Sequence, residues 1–316
     1  MYRGTGRRGG PYDDGEAEPM DDVTTTPHHG TPVKEAVGRY GIWNLGLWSE
    51  DPARRGEIAE AAAELEELGY GAVWVGGSPG VQHAEPLLGA TTRLTVATGI
   101  QSIWDYGAED TARRFAEVEA AHPGRFLLGL GVSHAKLTEH YRRPYSAMVG
   151  YLDALDAAKV PAERRVLAAL GPRMLELSRD RAAGAHPYSV TPEHTAQARE
   201  ILGEGPLLAP DLKVVLESDP ERARDRARAY LSFYLDLPNY TGNFLRLGFT
   251  EDDFRDGGSD RLVDAVFAWG DEDRIRASVD AFHAAGADHV ALQVLTDDPR
   301  EELPRGGWRR LAQLLG

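Results

Sequence analysis

No cysteine occurs anywhere in the 316 residues. That excludes disulfides, thiolate metal sites and cysteine nucleophiles. No apolar run reaches the roughly 20 residues of a membrane-spanning helix, and the N-terminus has no apolar segment of the secretory kind. Basic side chains are outnumbered, 35 against 50 acidic, for a formal charge of -15. Non-specific nucleic-acid binding and adhesion to an anionic membrane both run on lysine and arginine, so neither partner is expected. The expectation is a cytoplasmic protein that acts on a small molecule.

Several catalytic signatures are missing as well. There is no His-Glu-x-x-His and no assembled set of three metal ligands, so no metal is expected. No serine sits in a Gly-x-Ser-x-Gly elbow, and no pair of carboxylates stands at the predicted strand ends, as glycoside hydrolysis would need.

Residues 1–37 are rich in Gly, Pro, Asp, Thr and His and lack any hydrophobic period. They read as a disordered or loosely packed tail, with His28-His29 a solvated pair rather than a metal site. Residues 38–316 read as one domain. Apolar runs at 40–45, 72–75, 94–100, within 124–134, and at 165–170, 184–188, 212–217 and 289–294 predict strands, and segments of helical period alternate with them. A long helical stretch from Pro220 to about Phe254, broken at Pro238-Asn239, follows the seventh run. The pattern predicts a (β/α)8 TIM barrel with a helical insertion after strand seven. The competing doubly wound sheet carries a glycine fingerprint after its first strand. Here that place holds Gly46-Leu47-Trp48-Ser49-Glu50-Asp51-Pro52.

In a barrel the corners after the strands face one pocket. Those corners supply Trp43, Asn44, Ser78, His83, Gly99, Ile100, Gln101, Trp104, Ser133, His134, Gly171, Tyr188, Ser189, Thr191 and Gln293. The set is aromatic and rich in hydroxyls and amides, which suits a large planar ligand better than hydrolysis. The run Gly129-Leu130-Gly131-Val132-Ser133-His134 brings an apolar strand to a corner that backbone or ligand can approach closely. His134 is either a packed corner histidine or an active-site donor. Gly171-Pro172 opens a helix whose N-terminus attracts anions; Arg173 adds charge there or points to solvent. Thr191 either caps the helix beginning at Pro192 or bonds a phosphate beside Ser189. Tyr234, Tyr240 and Asn243 belong to the core or a lid, with Tyr240 also a candidate substrate contact.

Four pieces, taken in order, carry a family resemblance: Val96-Ala97-Thr98-Gly99-Ile100, the run from Pro123 to His134, Leu167-Ala168-Ala169-Leu170-Gly171-Pro172-Arg173-Met174, and Gly184-Ala185-His186-Pro187-Tyr188. Together they resemble the luciferase-like oxidoreductases that use the deazaflavin coenzyme F420. The resemblance implies hydride transfer between that coenzyme and a small organic substrate, with His134 moving the accompanying proton. It implies a cis peptide at Gly99-Ile100 behind the cofactor ring. Val132, Ser133 and His134 would line the ring. Ala169, Leu170, Gly171 and Pro172 would follow the ribityl chain and phosphate, which Tyr188, Ser189 and Thr191 would complete. Trp43, Ser78, Trp104 and Tyr240 would form the substrate pocket. Arg142, Arg143 and Arg246 are candidates for an anionic cofactor tail. An FMN-dependent monooxygenase of the same superfamily is the alternative, and homodimers occur among such proteins. The chain departs from the pattern at Gly76-Gly77-Ser78, where relatives place an acid–histidine pair, and at His134, where some carry glutamate. A barrel that has lost its cofactor would be expected to carry bulky residues at Gly99 or Gly171; both are glycine.

Overall fold

A computed structural model describes residues 32–134, 136 and 141–316. Most of the expected tail, including His28-His29, lies outside the described residues. Its last part does not match the expectation: Val33–Val37 is a helical turn with Val37 fully buried, so packing begins a few residues before Gly38.

The strands are β1 (Tyr40–Asn44), β2 (Ala72–Val75), β3 (Thr95–Thr98), β4 (Gln101–Ser102), β5 (Phe126–Gly131), β6 (Arg165–Leu167), β7 (Gly184–Ala185), β8 (Leu207–Leu208), β9 (Asp211–Val215), β10 (Phe267–Trp269) and β11 (Val290–Val294). All recorded pairings are parallel, in the order β10-β9-β11-β1-β2-β3-β5-β6-β7-β8, with β4 added beside β5. The sheet is strongly curled. The segment from β8 to β9 is continuous across Ala209-Pro210 and serves two neighbours. Ala209 and Asp211 donate backbone N–H groups to Ala185 and Pro187 on the β7 side. The other face of the same segment takes β11, with Ala291 opposite Asp211.

The sequence reading expects eight strands, and the described residues contain eleven. The three additions are short. β10 follows helix Asp260–Val266 without a turn, so its apolar residues continue a helical period and carry no punctuation of their own. The long helical stretch resolves into helices Pro220–Leu235 and Pro238–Arg246, followed by a 3-10 segment Glu251–Gly257. Side-chain caps start several helices: Asp219, Ser259 and Asp271 each accept a backbone N–H from three residues on, as N-caps do.

Strand side chains alternate between two cores, as the two-residue period of a strand requires. Ile42, Val73, Val75, Val96, Phe126, Leu128 and Leu292 pack outward against the helices. Trp43, Ala72, Trp74, Ala97, Leu127, Val166 and Ala291 form a separate inner cluster. The inner face mixes two tryptophans with small residues, so the strands approach closely where the side chain is absent. At Gly129 a Cβ would lie 1.9 Å from the Thr98 carbonyl oxygen. The Thr98 hydroxyl fills that gap instead, accepting from Gly129 N–H and donating to Gly129 O, each at 2.8 Å.

Candidate active site

The carboxyl ends of β1, β2, β3, β5, β6 and β7 border one cavity of about 950 Å³. That is room for a cofactor and a small substrate together. Gly99, His134 and Gly171, which the sequence places far apart, all line it. So do Trp43, Ser78, Ile100, Val132, Ser133, Ala169, Leu170, Tyr188 and Tyr240.

The first wall, residues 99–171, is largely main chain and small side chains. The Gly99-Ile100 peptide is cis. Trp43 backs it, its indole N–H donating to Gly99 O at 2.9 Å. Ser78 and Ser133, at the corners after β2 and β5, hold left-handed backbone with φ of 62° and 54°. Such conformations are uncommon outside glycine and gather at functional sites. Gly171 is open: a Cβ built there meets nothing within 4 Å. It is the N-cap residue of helix Pro172–Arg181, whose N-terminus carries a partial positive charge.

His134 sits half-buried on the cavity, its ring 5.3 Å from that of Tyr240. Desolvation holds its imidazole below the ordinary histidine range, and the Asn239 side chain beside it works in the other direction. The ring is therefore neutral at pH 7. Its buried Nδ1 has no hydrogen-bond partner among the described residues.

Four residues expected at the cofactor or the substrate stand elsewhere. Trp104 turns its indole N–H to Val132 O at 2.5 Å and supports the His134 corner from behind. Pro172 is the first residue of its helix. Thr191 is an N-cap, its hydroxyl accepting from His194 N–H at 3.3 Å. Ser189 is buried in left-handed backbone and donates its N–H to Asp211 at 2.6 Å. Its hydroxyl is buried without a partner among the described residues. Arg173 lies over the Tyr145 ring at 4.2 Å. Of the three arginines expected near an anionic tail, Arg246 lines the cavity and Arg142 and Arg143 do not; Arg300 lines it unexpectedly.

The second wall joins Tyr240, expected as a substrate contact, and Tyr234, expected in the core or a lid, to Tyr230, Phe233 and Asn239, which the sequence reading did not single out. Tyr230, Phe233 and Tyr234 from helix Pro220–Leu235, with Asn239 and Tyr240, face the first wall across the cavity. Beneath Tyr188 lies a buried ion pair, Lys213 Nζ to Asp211 at 2.5 Å. The ammonium also sits 3.7 Å from the Tyr188 ring centroid, a cation–π contact. Burial pushes the Asp211 carboxyl up and the Lys213 ammonium down. On the inner floor His186 stacks on Trp74, ring centroids 4.1 Å apart. Its Nδ1 bonds Ala209 O at 2.6 Å, which fixes Nε2 as an unprotonated acceptor. That buried Nε2 has no partner among the described residues, and burial lowers the ring's pKa to about 3.

A flavin or deazaflavin fits this surrounding. Its ring edge carries one N–H donor and carbonyl acceptors. The floor presents an acceptor on His186, and Arg246 and Arg300 supply cationic groups. The open Gly171 leaves space that any Cβ would fill. No group of three ligands able to hold a metal occurs among the described residues.

No curated protein sequence matches the chain. Among solved structures it resembles an F420-dependent secondary alcohol dehydrogenase in complex with an F420–acetone adduct, at 13% identity and a TM-score of 0.68, covering 88% of this chain and 98% of that one. It also resembles the coenzyme F420-dependent tetrahydromethanopterin reductase from Methanopyrus kandleri, with 15% identity, a TM-score of 0.64 and coverage of 88% and 98%. A third is the oxygenating constituent of 3,6-diketocamphane monooxygenase from Pseudomonas putida in complex with FMN, with 12% identity, a TM-score of 0.62 and coverage of 88% and 97%. At these identities the likeness is one of fold. The sequence itself is similar to a named family over its first part: residues 37–159, from the first strand past the His134 corner, match the family model of the luciferase-like monooxygenases.

Proposed function

We propose that this chain is a luciferase-like oxidoreductase, built on a (β/α)8 barrel in which residues 207–215 act as one stave. It transfers a hydride between coenzyme F420 and a small organic substrate. The observation that carries the reading is the first wall. Gly99 and Ile100, the Val132, Ser133 and His134 corner and the open Gly171 all border one cavity large enough for a tricyclic ring.

When bound, the coenzyme supplies the hydride chemistry. The protein's residues do the rest. Ile100 and Val132 give the ring an apolar bed. Ala169, Leu170 and Gly171 leave a path for the chain that leads to its phosphate, near the positive end of helix Pro172–Arg181. Arg246 and Arg300 meet its negative charge. His134, neutral and partly desolvated, takes or gives the proton that accompanies the hydride. The aromatic second wall keeps water from the reacting atoms.

FMN remains the rival cofactor, because the same wall accepts either ring. Fluorescence titration of the full chain with coenzyme F420 and with FMN separates them. Micromolar affinity for F420 with weak FMN binding is expected. Tight FMN binding together with oxygen uptake by the reduced protein would establish the monooxygenase instead, and binding of neither would end both readings.

A further inference from the structure

Among the described residues that line the cavity there is one carboxylate, that of Asp105. The turn after β4 places it there, closed by Asp105 N–H donating to Ser102 O at 3.2 Å. The same turn grips the Ser78 hydroxyl from both sides. Ser102 N–H donates to Ser78 Oγ at 3.0 Å, and Ser78 Oγ donates to Asp105 Oδ2 at 2.7 Å. Ser78 is held by these bonds in left-handed backbone, φ 62°, which a serine rarely adopts away from functional sites. Neither the cofactor bed nor the proton role of His134 uses this corner.

A serine hydroxyl has one proton and two lone pairs, and a carboxylate only accepts. The Ser78 proton therefore goes to Asp105, and one of its lone pairs takes Ser102 N–H. The other lone pair of Ser78 and the Oδ1 atom of Asp105 have no partner among the described residues. Arg300 reaches the same corner, its guanidinium 3.7 Å from the Cβ that a residue at Gly77 would carry, but it stays beyond the 4.0 Å of an ion pair with Asp105. In the loaded protein the coenzyme answers the Arg300 charge. The Ser78–Asp105 pair thus offers two acceptors and a negative charge, and its single hydroxyl proton is spent.

We propose that Ser78 and Asp105 dock an amino group of the substrate, so that this protein takes organic amines. An ammonium brings up to three protons, enough for Asp105 Oδ1 and the open Ser78 lone pair together, and it cancels the carboxylate charge. A hydroxyl brings one proton and leaves an acceptor unmet, and an anion is repelled. Asp105 is exposed, so its charge alone is worth little; the preference comes from two acceptors engaged at once. The inference rests on the cavity being the reaction site named above.

The test uses the full chain, with and without coenzyme F420, and titrates it at pH 7 with benzylamine and with benzyl alcohol, probes of equal size, by calorimetry. The wild-type chain is expected to bind the amine about tenfold more tightly, the range for one further hydrogen bond to a charged group. Asp105→Asn keeps an oxygen for the Ser78 proton and so keeps the corner's shape; the preference should fall to within about twofold as the charge goes. Ser78→Gly suits the left-handed backbone and removes the second acceptor, and it should cut the preference about threefold. Equal affinity for the two probes in the wild-type chain, or a preference that survives in Asp105→Asn, would overturn the proposal. A chain that binds the coenzyme but not benzylamine would overturn it too, leaving the cofactor reading intact. An Asp105-dependent preference in a chain that binds neither F420 nor FMN would support the amine site and remove the cofactor reading.

Discussion

The two walls of the cavity solve different problems. The wall from Gly99 to Gly171 is built from peptide groups, glycines and a few small side chains, each held by its own strand end. The wall from Tyr230 to Arg246 is built from large side chains on two helices, held by one another. The first presents a fixed shape and few polar side chains; the second presents phenols, an amide and a guanidinium over a buried ion pair. A rigid main-chain bed suits a ligand that is the same in every turnover. A wall of interlocked side chains suits the partner that must be told apart from its neighbours.

That division can be broken most severely at Gly171. Its φ of -99° suits any residue, and a Cβ there meets open space. Gly171→Leu should therefore keep the melting temperature within a degree or two and weaken F420 binding about a hundredfold, at the upper end of overpacking costs. Retained affinity by fluorescence titration would detach the cofactor from this wall.

The next largest effect belongs to the second wall's foundation. Lys213→Met leaves Asp211 buried without its cation and should cost about 3–5 kcal/mol in urea unfolding. Combining it with Asp211→Asn should recover most of that loss. A single variant less than 1 kcal/mol down would mean that water reaches the pair.

A third test concerns the floor common to both walls. His186 and His289 are buried, with folded pKa values of about 3 and about 4, below the ordinary 6.5. The unfolded chain binds their protons more readily, so this stability is fully present above about pH 6.5 and is lost as the pH falls toward those folded values. Each group contributes a slope of up to about 1.4 kcal/mol per pH unit in that window. Urea midpoints at pH 7 and pH 5 should differ accordingly, and His289→Gln should flatten the slope. An unchanged midpoint would show these rings to be protonated in the fold.

The smallest effect separates capping from ligand binding. Thr191→Ala removes an N-cap and should cost about 1 kcal/mol with coenzyme affinity unchanged. Undiminished stability with weakened binding would return the hydroxyl to the phosphate.

The first wall was legible because its chemistry is local. Gly129, Gly131 and His134 lie within six consecutive positions, and a strand ending in such a corner is marked in one short window. The second wall was legible only in part, because its partners are distant: Gln293 lies 105 positions from Tyr188 and 63 from Tyr230. Tyr230 and Tyr234 are spaced as helix neighbours, but that spacing also fits an ordinary core stripe. Asp211-x-Lys213 was the missed clue. An acid and a base two apart in a strand share one face, yet Asp211 reads as loop when the strand is begun at Leu212. β10 was lost for a similar reason, its Phe267-Ala268-Trp269 continuing the apolar rhythm of the preceding helix.

The seam at Ala209-Pro210 bears on how a molecule gets in. Because a single covalent segment is laced to β7 at one end and to β11 at the other, the two sides of the sheet cannot be drawn apart there without stretching the chain itself. The mouth has no freedom to dilate at that point. On the opposite wall, helices Pro220–Leu235 and Pro238–Arg246 are not laced into the sheet in this way; they carry the exposed Phe233 and Leu245 and meet at the short break before Pro238.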